Sequence, residues 1–239
     1  MRPLALLAPA DLGTRILDLL FPPRCVGCKS FGAWLCEQCL DLIPRVAPPF
    51  CIHCGGPVEK TASRLCTRCR TAPLQIDRIR SAVYFEGTLR EAVHKFKYDG
   101  VTALAEPLGG LLAEYWSQHP IPVDVLVPVP LHRSRVRERG FNQAALLAQQ
   151  LSKRVHLALD GHTLVRQRAT ASQVELNTEE RKENVRDAFR CTTGALVDSR
   201  VLLIDDVCTT GSTLEACAVA LRDGGAKSVQ ALTLSRARR

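Results

Sequence analysis

Val201-Leu202-Leu203-Ile204 is apolar at every position, not at alternate ones, and it runs directly into two carboxylates, Asp205 and Asp206. An unbroken aliphatic run of this length is the pattern of a strand covered on both faces of a parallel sheet. Residues 197–204 are expected to form the approach to the acidic pair. Past the turn Thr209-Thr210-Gly211-Ser212-Thr213, residues Leu214, Cys217, Ala218 and Leu221 recur at helical spacing, predicting a helix over 214–222 that stops before Gly224-Gly225. A last strand is predicted over 228–234.

Upstream, Ile79, Ala82, Val83 and Phe85 predict a strand over 78–85, followed by a helix over 88–98 and a second over 102–118 on Leu104, Leu108, Leu111, Leu112 and Tyr115. The apolar run from Val123 meets Pro128 and Pro130. Proline cannot continue a central strand, so these residues mark the strand's C-terminal exit. Phe141-Asn142-Gln143 opens a helix to about residue 155. Residues 166–190 hold few apolar groups and read as a functional lid or a disordered loop, with a short solvated helix from about 179 as the alternative. Near the start, Leu12, Ile16, Leu19 and Leu20 fit an amphipathic helix that ends before Phe21-Pro22-Pro23.

Cysteine usage divides the chain. Of 11 cysteines, eight form the pairs Cys25/Cys28, Cys36/Cys39, Cys51/Cys54 and Cys66/Cys69, all Cys-x-x-Cys. Such tight turns supply thiolate pairs to tetrahedral zinc, and four of them predict one or two structural zinc ions. Spacing leaves sequential and interleaved pairing both open, and it does not exclude iron–sulfur ligation. His53 could substitute as a ligand. A closed four-thiolate site has no open coordination position, so the metal's role is folding energy, not catalysis. Lys60, Arg64, Arg68 and Arg70 could face nucleic acid or protein, with plain solvated charge as the simpler reading. The periodicity changes after Ala72-Pro73, placing a cysteine-rich module at 1–72 and an α/β domain at 73–239.

Thiolates in that number point to a reducing compartment, and the short apolar N-terminus is broken by prolines, so a cytoplasmic protein is expected. No apolar run is long enough for a membrane span. The formal net charge of +8 favours polyanionic partners, phosphate esters or nucleic acid, but decides little alone.

The chemistry is concentrated at the predicted strand ends. A hydroxyl-rich turn between a buried strand and a helix N-terminus is suited to a phosphate: unpaired amides and the helix dipole point at it. Gly211 permits close backbone approach, and Thr209, Thr210, Ser212 and Thr213 can add hydroxyl donors. Neither Gly-x-x-x-x-Gly-Lys-Ser/Thr nor Gly-x-Gly-x-x-Gly occurs. Twin carboxylates beside the turn would repel a bare phosphate. They suit a ligand that also carries sugar hydroxyls, or a divalent metal held between them and the phosphates. An acidic, capped helix start in solvent is the plain alternative. At the other strand exit, Arg133, Arg135, Arg137 and Arg139 with a single interrupting acid, Glu138, suit a pyrophosphate or a nucleic-acid backbone, against the simpler reading of an exposed basic loop. Lys97, near a helix C-terminus, is explained as well by the helix dipole as by function.

The segment 201–213 resembles the phosphoribosyl-pyrophosphate (PRPP) motif of type I phosphoribosyltransferases. The resemblance implies that Asp205 and Asp206 bind the ribose hydroxyls and Thr209 to Thr213 the 5-phosphate. With Phe21-Pro22-Pro23-Arg24-Cys25, Lys97-Tyr98-Asp99-Gly100, Pro128-Val129-Pro130, Arg139-Gly140-Phe141-Asn142-Gln143 and Arg181-x-x-Asn184, the chain as a whole resembles the ComF family of ComFC and GntX-like proteins. That family joins a zinc ribbon to a type I phosphoribosyltransferase-like parallel sheet flanked by helices. By this resemblance magnesium would accompany PRPP, the pyrophosphate would lie on Pro128, Val129, Pro130, Leu131, His132 and Arg133 with Lys97 nearby, and Arg181 or a neighbour would close over the site. The reaction implied is phosphoribosyl transfer to a nitrogen acceptor. In relatives acting on 6-oxopurines an Asp of the phosphate turn contacts the base; Thr209 stands there here, which argues against hypoxanthine or guanine. The family's link to DNA uptake implies a second possibility, a non-catalytic adaptor that handles single-stranded DNA beside DNA-uptake proteins.

Overall fold

The computed structural model describes residues 22–58, 64–168 and 187–238. The amphipathic helix expected near residues 12–20 and Arg181 lie outside them. Five strands form one all-parallel sheet in the order β1-β7-β6-β2-β3: β1 (Arg78–Tyr84), β2 (Val125–Pro128), β3 (Ala158–Leu159), β6 (Arg200–Cys208) and β7 (Ser228–Arg236). A separate antiparallel pair, β4 (Leu164–Arg166) with β5 (Phe189–Cys191), lies between β3 and β6 in the chain. Two five-residue helices, α1 (Glu37–Asp41) and α2 (Thr67–Thr71), belong to the cysteine-rich module. The larger domain adds α3 (Gly87–Tyr98), α4 (Ala105–Gln118), α5 (Arg133–Arg139), α6 (Gln143–Val155) and α7 (Ser212–Asp223).

The sheet is covered on both faces, as the unbroken aliphatic runs require. Along β6 the even residues Leu202 and Ile204 pack with α3, α4 and α6 through Phe96, Leu108, Leu112, Leu147 and Leu151. The odd residues Val201 and Leu203 pack with α7 through Leu214, Cys217 and Leu221, and with Leu164 and Phe189 of the antiparallel pair. This alternation is the period-2 geometry of a strand.

Two expectations are corrected. The strand leading to the acidic pair begins at Arg200 and continues through it to Cys208, because β7 keeps pairing: Asp205 lies opposite Thr233, Val207 opposite Ser235 and Cys208 opposite Arg236. Val197, expected in that run, sits exposed in the preceding turn. The basic segment after Pro130 is a helix, not a loop. Arg and Glu are good helix formers, the His132 side chain accepts the Ser134 amide at the N-terminus, and Gly140 closes α5 with φ +85° in the left-handed region.

The cysteine-rich module lies along β1, the edge strand of the sheet. Residues 44–46 run antiparallel to it (Val46 N–H to Ala82 O, 3.0 Å; Tyr84 N–H to Pro44 O, 2.9 Å), which covers the open edge. Arg45 ties this segment to α4 with a two-pronged bond to Glu114 (3.2 and 2.8 Å). Further along, Ile79 N–H donates to His53 O at 2.8 Å. At Gly55 (φ +68°) a β-carbon would stand 2.6 Å from the Ile79 carbonyl oxygen, so the second cysteine turn can approach β1 this closely only with glycine there.

Candidate functional site

The eight cysteines form two four-sulfur clusters in sequential pairing, Cys25, Cys28, Cys36 and Cys39 in one and Cys51, Cys54, Cys66 and Cys69 in the other, with all Sγ atoms in each within 4.8 Å of one another. The Cys28–Cys36 and Cys54–Cys66 sulfurs are 3.6 and 3.7 Å apart. A disulfide would need about 2.05 Å, whereas a tetrahedron with bonds of about 2.3 Å puts its sulfurs about 3.8 Å apart. The geometry fits two zinc sites, each built from four thiolates. In each, the second pair straddles the start of a short helix: Cys36 and Cys66 precede α1 and α2, and Cys39 and Cys69 lie within them.

The thiols within each cluster are not equivalent: Cys25, Cys28 and Cys51 are lowered, whereas Cys39, Cys54 and Cys69 are raised. Burial would raise Cys25 and Cys51, but backbone amides (of Cys36, Cys28 and Gly27 for the former) outweigh it and bring each down to about 6. Burial, then the sulfurs beside it, push Cys39 up to about 12. A divalent ion relieves that crowding of negative charge. His53 is not a ligand; its Nε2 lies 2.6 Å from the Ile76 carbonyl and donates to it.

The second candidate site is at the carboxyl ends of β2 and β6. From β2 the chain moves to β3 on one side, and from β6 to β7 on the other, so the crevice between β2 and β6 is the switch point where open α/β sheets receive ligands. The two exits are tied together: Val129 N–H donates to Ile204 O at 2.9 Å. Asn142, which caps α6, donates its side-chain amide to Val129 O at 3.0 Å. Pro128, Val129 and Pro130 thus stand beside Asp205 and Asp206.

The carboxylates leave β6 on opposite faces, as neighbours in a strand must. Asp206 points to the α3 side, where its carboxylate pairs with the Lys97 ammonium; both side chains are largely buried. Burial would lower Lys97, but Asp206 overrides it and raises the lysine; reciprocally, Lys97 overcomes burial and holds Asp206 below the usual carboxylate range. Asp205 points to the α7 side and accepts the Asp206 amide at 2.9 Å. Burial, reinforced by the Asp206 charge, pushes Asp205 well above the carboxylate range.

The 209–213 turn is more enclosed than a solvent-facing cradle. Thr210, Gly211 and Ser212 are buried, Thr209 and Thr213 half-buried. The Thr210 and Ser212 hydroxyls bond to each other at 2.8 Å, and Thr210 Oγ1 accepts the Ser212 amide. Gly211 carries φ +79°, with Ile79 against it. The Leu214 amide lies in the first turn of α7, where the helix itself offers no acceptor.

α5 separates two cavities. One, of about 570 Å³, is lined by Pro130, Leu131, His132, Arg133, Asn142, Arg166 and Arg190, with no carboxylate among its described lining. The other, of about 350 Å³, is lined by Lys97, Tyr98, Arg135, Glu138 and Arg139, with the Arg139 guanidinium 5.4 Å from the Tyr98 ring centre. Arg166 and Arg190 are not legible in the sequence as site residues, because the β4–β5 pair that carries them to the cavity is too short to show a period. Arg68, by sequence a plain solvated charge, instead donates from Nη1 to the Thr210 carbonyl at 2.5 Å.

Comparison with known proteins agrees with this architecture. Residues 16–70 match the family model of a double zinc ribbon domain, and residues 111–239 that of a phosphoribosyl transferase domain. The molecule is therefore a double zinc ribbon joined to a phosphoribosyltransferase-type domain. The chain is 34% identical over 229 residues to the DNA utilization protein YhgH of Escherichia coli, covering 91% of this chain and 99% of that one. It is 30% identical over 226 residues to Competence protein F of Haemophilus influenzae (90% and 97% covered) and 30% over 232 residues to Competence protein ComFC of Bacillus subtilis (95% and 90%). The chain belongs to the ComF family. Among solved structures, a glutamine PRPP amidotransferase from B. subtilis overlays with a TM-score of 0.41 at 15% identity, over 59% of this chain and 30% of that one. No described helix is long and apolar enough to cross a membrane.

Proposed function

We propose that this protein binds Mg(II)–PRPP at the carboxyl ends of β2 and β6 and transfers its phosphoribosyl group to a nitrogen acceptor. The observation that carries the reading is the tie at the sheet's switch point between the Pro128–Arg133 exit and the end of β6, Val129 N–H to Ile204 O, one residue before the acidic pair and in the strand that leads to the 209–213 turn. In this reading Asp205 and Asp206 accept from the ribose hydroxyls. The 5-phosphate rests on the amides of the α7 N-terminus with the Thr209 and Thr213 hydroxyls. The pyrophosphate lies on Pro128 to Arg133, with Lys97 beside it; Arg181, which the resemblance also assigns to the site, lies outside the described residues. Magnesium, when bound with PRPP, neutralises the pyrophosphate oxygens. A bond forms from the acceptor nitrogen to the anomeric carbon of the ribose as the bond to pyrophosphate breaks; the electron pair leaves with the pyrophosphate and the nitrogen gives up a proton. Fixed cations around the departing group are the main catalytic term. The test is pyrophosphate release from PRPP across a panel of nitrogen heterocycles, with and without single-stranded DNA. Release in any well supports transfer; none in any well contradicts it.

A second reading is favoured by the relatives' names, two of which are competence proteins and one a DNA utilization protein. Here the chain handles single-stranded DNA, and its basic surface at α5 follows the backbone. The cavity lined by His132, Arg133, Arg166 and Arg190 adjoins that surface. Binding should fall steeply with salt. The triple substitution Arg135→Ala, Arg137→Ala, Arg139→Ala is expected to abolish a mobility shift seen at low salt. An unaltered shift would rule out this surface.

A further inference from the structure

We infer that the second zinc ribbon sets the shape of the 209–213 turn, and hence its affinity for a phosphate ester, through Arg68. Arg68 lies between the ligands Cys66 and Cys69, on α2, so the metal that fixes those two sulfurs also fixes the stem that carries the guanidinium. Its Nη1 donates to the carbonyl oxygen of Thr210, in the middle of the turn.

That bond controls a single peptide plane. In a trans peptide the carbonyl and the following N–H point in opposite directions. Holding the Thr210 carbonyl toward the ribbon therefore turns the Gly211 N–H away from it. Gly211 sits at φ +79°, and glycine takes positive or negative φ with equal ease, so this plane can flip readily once released. A flip would replace an amide donor with a carbonyl oxygen, which repels an anion.

The rest of the contact braces both flanks of the turn against the same ribbon. On one side, the buried Arg236 donates to the Cys54 carbonyl, next to a ligand sulfur, and lies 3.4 Å from Cys208 Sγ. On the other, the Glu215 carboxylate in the first turn of α7 accepts the Gln75 and Ile76 amides (2.6 and 3.1 Å), just past the ribbon. The first ribbon packs elsewhere: a β-carbon at Gly27 would meet Thr88, at the start of α3.

The inference rests on the reading of 209–213 as the phosphate-binding turn. Arg68→Met keeps the aliphatic stem and removes every donor; Arg68→Lys restores a single one. Three quantities are compared on the full chain: bound zinc, amide exchange across residues 209–214 without ligand, and PRPP affinity with Mg(II). Arg68→Met is expected to keep the wild-type zinc content, speed exchange in that stretch, and weaken PRPP binding about 10- to 100-fold, the range for losing a charge-assisted hydrogen bond. Arg68→Lys should recover part of both effects. Unchanged exchange overturns the inference even if affinity falls, since Arg68 would then be touching the ligand itself. Altered exchange with unchanged affinity overturns it equally. If the wild-type protein binds no PRPP, the phosphate reading fails, and the same exchange comparison, with inorganic phosphate as the titrant, decides whether Arg68 still governs the turn's affinity for an anion. Should Arg68→Met lose zinc, the Lys variant carries the comparison.

Discussion

Asp206→Asn is expected to destabilise the fold by about 3 kcal/mol and to abolish PRPP binding together, because the carboxylate holds a buried lysine and faces the proposed ribose site. The amide cannot balance the Lys97 ammonium, and an uncompensated buried charge is strongly unfavourable. Lys97→Met, which strands Asp206 instead, should be destabilising to a similar degree. The double variant removes both charges and should recover most of the loss, since two contacting sites do not add. None of the three should bind PRPP. Denaturant unfolding and PRPP-induced thermal shift separate the two effects. A double variant that binds PRPP would remove Asp206 from the site, and one no more stable than the single variants would mean that the ion pair is not what each substitution disrupts.

The pair also sets a pH dependence. Asp206 is depressed in the fold, so its contribution is present above about pH 4 and is lost as pH falls through its lowered value. Lys97 is raised, so its contribution is present below about pH 10 and is lost as pH rises through its elevated value. Asp205 runs the other way to its neighbour. Raised by burial, it favours the fold below about pH 4, and that advantage disappears as pH rises through its folded value.

The second large effect is metal removal. The second four-thiolate site closes a segment too small to bury an apolar core, its buried cluster consisting of Cys51, Cys54 and Cys69, whereas the first ribbon adds Val26, Leu35 and Ile43 to the core it shares with α3 and α4. Apparent zinc-binding energies for such sites are about 10–16 kcal/mol at neutral pH, and that energy is folding energy. A thiol-displacing reagent should therefore release two zinc ions per chain, one from each cluster. Loss of the second should loosen more than its own ribbon, because Gly55, His53 and Arg236 tie that ribbon to β1 and to β7. Fewer than two ions per chain, in protein with all eight thiols intact, would contradict the assignment of one of the clusters.

How much can be read from the chain alone differs from element to element for physical reasons. Helices α3, α4, α6 and α7 are legible because each presents a continuous apolar face; Asn142 and Gly224 also mark ends visibly. α5 is not, because it buries no residue and so leaves no apolar period; its signal is composition and the closing Gly140. On sequence β6 stops short at the acids, because a carboxylate in a buried strand has no place until its partner is known, and Lys97 comes from a distant helix. The same distance explains why Lys97 looks like an ordinary dipole-balancing cation. Cysteine spacing gives the ligands but not their grouping, which the fold settles by stacking the pairs in chain order. Arg68 and Glu215 act across long stretches of chain, and nothing local distinguishes them from surface charge.

Isothermal titration of the zinc-loaded wild-type chain with PRPP, in the presence and absence of Mg(II), bears most directly on the pocket between β2 and β6. Saturable, magnesium-dependent heat that vanishes in the Lys97→Met, Asp206→Asn double variant is the predicted result. A flat titration with magnesium present, on protein that holds both zinc ions and unfolds cooperatively, would contradict it.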